Sequence, residues 1–261
     1  DLWAGLGLAV QAYQTRAVAL VDCVAERARA HKRRLMIRLV KGAYWDAEIK
    51  HAQEAGLDRY PVFTRKSATD ASYLAAAGRV LAANDSIFGQ FATHNAYTVA
   101  AIHAIADGRT DFEFQRLHGM GTALYARVSG AQGWGIPCRV YAPVGTYRDL
   151  LAYLVRRLLE NGANASFVNR LADADISIET LTADPVARAA QARDRPGPIP
   201  APRAIYADRT AARGVDFGDP AATETLAAAL NAQPGQCHAA PLIGGHAVAG
   251  NSNPVFEPAD S

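Results

Sequence analysis

Residues 37–46 read IRLVKGAYWD, and this stretch decides the fold. A strand-like apolar run ends in two cations, a glycine and two large aromatic residues. Gly42 permits a tight turn or the close approach of a ligand. Cations beside aromatic rings suit a flat, anionic ligand. The alternative interpretation is a loop at a barrel end that carries surface charges.

Strand-like and helix-like patterns alternate on both sides of this stretch, as far as about residue 169. Apolar runs of strand length are bounded by polar or glycine-containing segments, and apolar residues between them recur at helical spacing. Asn95 is placed to cap one helix and Gly108 to end it. The predicted strands are 6–13, 35–40, 86–92, 112–117 and 139–142, and the predicted helices are 15–31, 46–56, 68–83, 95–107, 123–129 and 147–161.

Five strand-helix units in succession predict an α/β fold with a parallel sheet and helices outside it. The unit length suits either an open doubly wound sheet or a (β/α)8 TIM-type barrel. Two observations favour the barrel. No GxGxxG motif follows the first strand, and chemically active residues recur at the ends of several strands, where a barrel gathers its catalytic groups.

Composition excludes several classes of function. The net charge is +2 with no basic stripe, so the segment predicts no nucleic-acid partner. Cys23, Cys138 and Cys237 form no CxxC or His/Cys cluster, which predicts neither a disulfide framework nor a metal site. With no run of 18 apolar residues and no signal peptide, the expected location is cytoplasmic.

Other candidate residues occupy the ends of predicted strands. His94 follows one strand, Gln115 and Leu117 end the next, Tyr141 ends the last and Gln11 the first. A lone histidine is more often structural than catalytic, but the position of His94 at the end of a strand favours a functional role. The run 64–67, TRKS, precedes a helix whose N-terminus attracts phosphate. Simple capping by Ser67 or Thr69 is the alternative.

The helix at 147–161 carries a polar stripe. Tyr153, Arg156, Arg157 and Glu160 lie three or four residues apart and share a face. Two guanidinium groups beside an apolar face are suited to hold a carboxylate. The alternative is an Arg156–Glu160 salt bridge on a solvated surface.

Five co-linear runs are specific in combination: RLVKGAYWDAEIK, FATHNAYT, FEFQRLHGMG, RVYAPVG and LLAYLVRRLLENGANASFVN. Together they resemble the proline dehydrogenase domain of the bacterial proline utilization A family, over about residues 6–173. The run at 253–258, NPVFEP, is similar to the start of that family's aldehyde dehydrogenase domain, although this match is short.

The resemblance implies a distorted (β/α)8 barrel that binds FAD and oxidises L-proline to Δ1-pyrroline-5-carboxylate, the first step of proline catabolism to glutamate. It implies electron transfer to a membrane quinone and peripheral association of the parent protein with the inner membrane. An NAD-dependent pyrroline-5-carboxylate dehydrogenase domain would lie beyond this segment. The alternatives are a monofunctional proline dehydrogenase, or a truncated and inactive fragment.

The resemblance also implies roles for individual residues. Arg156 and Arg157 would hold the proline carboxylate, oriented by Glu160. Arg38 would stabilise negative charge on reduced FAD. The pocket around the proline ring would be formed by Ala43, Tyr44, Leu117, Tyr141 and Tyr153, with Tyr44 and Tyr141 also counted among the catalytic residues. The flavin would be lined by Gln11, Arg38, Val40, Lys41, Gly42, Ala43, Trp45, Thr64, Lys66, Thr69, His94, Asn95, Gln115 and Phe167.

We expect three segments: 1–181 as the C-terminal part of the FAD-binding barrel, 182–250 as a linker with short helices, and 251–261 as the start of an aldehyde dehydrogenase-like domain. Residues 184–203 are rich in Ala, Pro, Gly and Arg and are expected to be weakly structured. Because only about five of eight barrel strands are visible, we expect this chain alone to have exposed sheet edges and to be inactive.

Overall fold

A computed structural model describes residues 5–129, 133–162, 173, 175–193, 195, 197–232, 239–251 and 253–255, excepting the side chains of 156 and 158–162. The chain divides into two compact units, residues 1–214 and residues 215–261. The first unit contains the predicted strand-helix alternation. Its strands are β1 (Gly7–Gln11), β2 (Leu35–Val40), β3 (Ile87–Ala92), β4 (Glu113–Leu117) and β5 (Cys138–Tyr141).

The five strands form one parallel sheet in the order β1-β2-β3-β4-β5. Each strand therefore pairs with its neighbour in sequence, which is the connectivity of a (β/α)8 barrel. The predicted strands are confirmed, and β2 has the bounds that the sequence predicts. The first strand is shorter than predicted, since Ala12 and Tyr13 lie beyond its end and bond instead to the backbone of β2 and the loop that follows it.

Helices cover one face of this sheet. The α-helices described in the first unit are α1 (Ala17–Ala30), α2 (Trp45–Glu54), α3 (Lys66–Ala82), α4 (Ala96–Ala106), α5 (Thr122–Ser129), α6 (Tyr147–Gly162), α7 (Ile178–Leu181) and α8 (Pro185–Gln191). Helix α1 buries Ala17, Val21, Val24 and Ala28, the positions that helical spacing predicts. The N-cap of α3 is Arg65, with no side-chain capping bond, so the alternative of capping by Ser67 or Thr69 is wrong.

Side chains alternate between the two faces of each strand. Ile37 and Leu39 are fully buried in the core that the sheet forms with the helices, together with Phe91 and Phe114 of β3 and β4. Arg38, between Ile37 and Leu39, therefore points to the opposite face. On that face the polar residues of neighbouring strands come into contact.

The segment after α7 is more ordered than its composition indicates. Helix α8 packs against α3, and its N-cap Asp184 accepts bonds from two backbone N–H groups. Further along, the hydroxyl of Tyr60 donates to the carbonyl of Pro200 at 2.8 Å. Gly214 lies so close to the end of α2 that a Cβ there would be 1.6 Å from the carbonyl oxygen of Ala55. These contacts hold the described residues of the segment against α2, α3 and the loop between them.

The second unit holds α9 (Pro220–Asn231), capped by Asp219, and a hairpin of β6 (Leu242–Ile243) and β7 (His246–Ala247). Gly244 and Gly245 form its turn with positive φ angles. No described helix is both long and apolar enough to cross a membrane. The domain bounds at 181/182 and 250/251 stay predictions.

Candidate active site

The candidate residues gather at the carboxyl edge of the sheet. Because β1 to β5 are parallel, the residues at their ends lie along one edge. Gln11 pairs in register with Val40, and Leu117 pairs with Tyr141. This is the edge at which α/β barrels place catalytic groups.

Arg38 and Tyr141 are in contact across this edge. The guanidinium carbon of Arg38 lies 4.4 Å from the centroid of the Tyr141 ring. Burial raises the pKa of Tyr141, and Arg38 opposes that shift, so the phenol stays neutral. The Nε of Arg38 is buried and has no hydrogen-bond partner among the residues that the structure describes. An unpaired buried donor of this kind is a position where a ligand acceptor fits.

His94 lies beside this pair. Its Nε2 accepts a hydrogen bond from the backbone N–H of Leu117 at 3.1 Å. Burial, reinforced by the charges of Arg157 and Arg116, lowers the pKa of His94 to about 4. The imidazole is therefore neutral near pH 7 and fixes the strand end that carries Leu117.

The loop after β2 is shaped by Gly42. Its φ of 137° is one that residues with a side chain rarely adopt, and a Cβ there would lie 2.4 Å from Cδ2 of Tyr13. The Ala43 N–H donates to Oε1 of Gln11 at 3.2 Å. Burial raises the pKa of Tyr13 to about 12, so its ring is a neutral wall. The glycine thus lets the loop pass directly over that ring.

A lysine pair shares one carboxylate behind this loop. Asp70 accepts from the Nζ of Lys41 at 2.5 Å and from that of Lys66 at 2.7 Å. Burial lowers the pKa of Lys41. Burial alone would raise the pKa of Asp70, but the positive charges of the two lysines outweigh that effect and lower it. Sequence reasoning did not identify Asp70. Its i,i+4 spacing from Lys66 was the available signal, but many surface residues have that spacing.

The remaining predicted flavin residues flank these groups. Trp45 begins α2, and its Nε1 donates to the carbonyl of Phe63 at 2.8 Å. Thr64 directly precedes Arg65 and α3, and Thr69 lies in the first turn of that helix. The structure does not place Tyr44 deep in the site, since it is the N-cap of α2 with a 47% exposed side chain.

The side chain of Asn95 caps helix α4. Its Oδ1 accepts from the Thr98 N–H at 3.1 Å, which confirms the predicted cap of α4. This bond holds the side chain at the start of the helix that follows β3.

Helix α6 brings two predicted substrate residues towards the site. The guanidinium carbon of Arg157 is 5.2 Å from the centroid of the Tyr153 ring. Tyr153 and Arg157 both shift the pKa of Tyr141, and Arg157 also lowers the pKa of His94. The described part of α6 therefore faces the Arg38–Tyr141 pair. The side chains of Arg156 and Glu160, and all of Phe167, lie outside the described residues.

A second carboxylate, that of Glu113, contacts polar side chains of the site and was not identified from the sequence. Glu113 is 4% exposed and accepts from Gln90, from Gln115 at 2.8 Å and from both arms of Arg139. Burial raises its pKa, but the bonds from Arg139 and Gln115 outweigh that effect and leave it lowered. The amide of the predicted flavin residue Gln115 is therefore held by an ionised carboxylate.

Fold and site together define a class of protein: an α/β barrel-type protein whose polar and aromatic side chains meet at the carboxyl edge of a parallel sheet. Within that class, the chain belongs to the proline dehydrogenase family, whose profile matches residues 1–170.

Two relatives in sequence agree with this assignment. The chain is 47% identical over 273 residues to the bifunctional protein PutA of Escherichia coli (strain K12), an alignment covering 99% of this chain and 21% of PutA. It is 31% identical over 170 residues to the proline dehydrogenase of Deinococcus radiodurans, covering 62% of this chain and 46% of that protein.

Solved structures show the same relationship. A crystal structure of a mutant proline utilization A (PutA) from Bradyrhizobium japonicum superposes with a TM-score of 0.82 at 53% identity, covering 91% of this chain and 25% of that one. The fold is thus α/β of the proline dehydrogenase barrel type, as the sequence predicts. The chain spans about a fifth of the length of the PutA relatives in sequence.

Proposed function

We propose that this chain carries most of an FAD-dependent proline dehydrogenase site that oxidises L-proline to Δ1-pyrroline-5-carboxylate, the first step of proline catabolism to glutamate. The observation that carries the proposal is the Arg38–Tyr141 contact beside Arg157, within the segment that matches the family. It supplies a half-buried cation, a neutral aromatic wall and a second cation for a carboxylate.

The described residues fit a flavin. The buried Nε of Arg38 lacks a partner among them, and Gly42 lets the loop after β2 pass directly over the Tyr13 ring. Lys41 and Lys66 supply positive charge nearby. A bound FAD would supply the acceptor for the hydride equivalent that leaves the proline ring carbon next to nitrogen. Gln11, Val40, Ala43, Trp45 and His94 are proposed to line the same surface, as are Thr64, Thr69, Asn95, Gln115 and Phe167.

The chain's own residues would bind and orient the substrate. Arg157 offers a planar guanidinium fork to the proline carboxylate, and Arg156 is proposed as its partner, with Glu160 orienting both. Leu117 and Tyr141 would fix the face of the ring, so that the reacting carbon approaches in one orientation. Arg38 would stabilise the negative charge that develops on the cofactor.

The parent protein is proposed to be bifunctional, with an NAD-dependent pyrroline-5-carboxylate dehydrogenase domain beyond residue 261. It would pass electrons to a membrane quinone from a peripheral position on the inner membrane. This is supported by the PutA alignment, which covers 99% of the chain and so extends past the family match at residue 170. A monofunctional proline dehydrogenase is the second candidate, favoured by the Deinococcus radiodurans relative. Sequencing the gene past residue 261 separates the two.

The test of the activity is the absorbance spectrum of the purified chain, recorded anaerobically before and after L-proline. A bound flavin whose visible absorbance is bleached by L-proline and restored by a soluble quinone analogue would confirm the site and overturn the expectation that this chain alone is inactive, whereas absence of flavin would place the activity in the longer parent protein. L-alanine, which lacks the ring, is the control and should leave the spectrum unchanged. A bound flavin that L-proline does not bleach would contradict the proposed reaction for this chain.

A further inference from the structure

Helix α2 is an addition to the strand-helix repeat of this fold. A barrel unit has one helix after each strand, yet β2 is followed by both α2 and α3. Helix α3 covers the sheet, since it packs against β2, β3 and the neighbouring helices α1 and α4. Among the described elements, α2 packs mainly against a 3-10 turn (Pro202–Ala204) from much later in the chain. The position of α2 is therefore set largely outside the barrel core.

The inner face of α2 lies on a small apolar cluster that is separate from the main core. The buried members of this cluster are Tyr13, Ile49, Ala52, Tyr60 and Val62. Two of them, Ile49 and Ala52, are the buried residues of α2. Trp45, the first residue of α2, and Ile199 both pack against the cluster. The start of α2 and the chain at residue 199 therefore belong to one packing unit.

Residues 199–214, which we call the strap, are fastened to α2 near their first end by a tyrosine. The hydroxyl of Tyr60 donates to the carbonyl of Pro200 at 2.8 Å and accepts from Nε2 of Gln53, on α2, at 2.9 Å. Tyr60 is only 8% exposed. Its hydroxyl therefore uses both its donor and an acceptor position to join α2 to the strap.

The other end of the strap lies against the carboxyl end of α2. The N–H of Gly214 donates to the carbonyl of Gly56 at 3.2 Å. A Cβ on Gly214 would lie 1.6 Å from the carbonyl oxygen of Ala55, so the two backbones leave no room for a side chain there. Arg213, next to this contact, pairs with Asp58 at 3.2 Å. The strap is thus attached to α2 at both of its ends.

The same cluster supports the loop after β2. The ring of Tyr13 lies directly against Gly42, and the carbonyl of Tyr13 accepts from the N–H of Phe63 at 2.7 Å. The carbonyl of Phe63 in turn accepts from Nε1 of Trp45 at 2.8 Å. Both ends of the loop at 42–45 therefore rest on groups of the cluster that the strap covers.

We infer that the strap positions α2 and Trp45 at the carboxyl edge of the sheet, and that Tyr60 is the positioning residue that connects them. The inference rests on the proposed function for the role of this loop, which is to line the site. The strap lies beyond the family match, which ends at residue 170, and within the 99% of the chain that aligns with PutA. The site therefore depends on a segment whose composition is that of a linker.

Hydrogen–deuterium exchange of the purified full chain, read by mass spectrometry, tests the positioning without any need for bound flavin. Tyr60→Phe keeps the ring but removes both hydrogen bonds of the hydroxyl. Amides of residues 42–54 should then exchange about tenfold faster, because α2 opens more often from an otherwise intact fold. Amides of β3 should exchange at the parent rate. Tyr206→Phe, which removes an exposed hydroxyl from the strap itself, is the matched control and should change neither.

Gly214→Ala tests the other end of the strap in the same way. The added Cβ would meet the carbonyl oxygen of Ala55, so this variant should also speed exchange in residues 42–54. Its control is Gly250→Ala, where nothing lies within 4 Å of the added Cβ. Faster exchange confined to residues 199–214 would overturn the inference, because α2 would then stay in place without the strap. An equal rise in α2 and β3 would also overturn it, because α2 would then open only with the whole fold.

The link to the reaction is measured as stopped-flow bleaching by L-proline, in whichever of this chain and its longer parent protein retains flavin. Tyr60→Phe should slow bleaching at saturating L-proline about tenfold per bound flavin, because a small displacement of the site residues is costly. A purely structural loss would lower the flavin content and leave that rate unchanged. An unchanged rate despite faster exchange in α2 would overturn the positioning role and leave the proposed function standing. If L-proline bleaches no flavin even without the substitution, the proposed function fails, and the exchange experiment still decides what holds α2.

Discussion

His94 accepts a hydrogen bond at Nε2 from the backbone N–H of Leu117, 3.1 Å away on the neighbouring strand. A nitrogen that accepts cannot carry a proton, so the imidazole is neutral with its proton on Nδ1. Burial lowers its pKa to about 4 from 6.5. A residue chosen from the sequence for its position at a strand end therefore also joins β3 to β4.

This bond predicts a pH dependence of stability. The folded-state pKa lies below the unfolded one, so the unfolded chain takes up the proton first as the pH falls. The contribution of neutral His94 to the free energy of unfolding is complete above about pH 6.5 and is lost towards pH 4. This contribution is at most about 3 kcal/mol. Urea unfolding from pH 7.5 to 4 measures it, and His94→Gln should flatten the slope. His118→Gln, at an exposed histidine, should leave the slope as in the parent chain.

Arg38 is predicted to matter more for the reaction than for holding the flavin. Arg38→Ala removes a preorganised cation from the reacting face, so the rate of flavin bleaching by L-proline should fall roughly 100-fold. Flavin content per chain should fall far less, because the other proposed contacts remain. Stopped-flow absorbance gives the rate and the absorbance ratio gives the content.

Arg34 provides the control for that substitution. It is exposed just before the amino end of β2, where it pairs with Asp111 at 3.5 Å, away from the carboxyl edge. Arg34→Ala should change neither quantity. Equal losses of rate and flavin content in Arg38→Ala would instead mean that Arg38 acts mainly by retaining the cofactor.

Neutralising Asp70 is predicted to destabilise the folded chain. Asp70→Asn leaves the largely buried Lys41 without its counter-charge, which should lower the free energy of unfolding by about 3 kcal/mol. The matched control is Asp85→Asn, which breaks the exposed Arg29–Asp85 pair. That change should have no measurable effect, because exposed pairs are screened by solvent. Similar losses in the two variants would show that Lys41 is not stabilised through Asp70.

The sheet and its active edge could be predicted from the sequence because strands and helices have different apolar periods. The bounds of β2 follow from its apolar run, and the strand ends then place His94, Leu117 and Tyr141 on one edge. Their proximity needs only parallel strands in consecutive order. It does not depend on any particular side-chain packing.

Asp70 and Glu113 could not be found in this way. Asp70 contacts Lys41, 29 residues away, and Glu113 joins residues of three strands. Such contacts depend on the curvature of the sheet and on rotamers, which no local pattern specifies. The docking of residues 200–214 is a contact of the same kind, since Tyr60 donates to the carbonyl of Pro200 and Gly214 lies against Ala55. A composition typical of a linker does not indicate either contact.

Gly42 offers a direct test of how the loop over Tyr13 is built. Gly42→Ala imposes a rarely adopted φ of 137° on a residue with a side chain and also places its Cβ 2.4 Å from Cδ2 of Tyr13. Gly108→Ala imposes only the backbone strain, since at φ 80° nothing lies within 4 Å of the added Cβ. We expect Gly108→Ala to cost about 1 kcal/mol and Gly42→Ala roughly 3 kcal/mol, measured by urea unfolding. Because the loop cannot keep its course over the ring, Gly42→Ala should also lose flavin, whereas Gly108→Ala should retain it. If the free energy of unfolding falls equally in the two variants, the Tyr13 ring can move aside without destabilising the fold. The shape of the loop would then be set by the backbone alone.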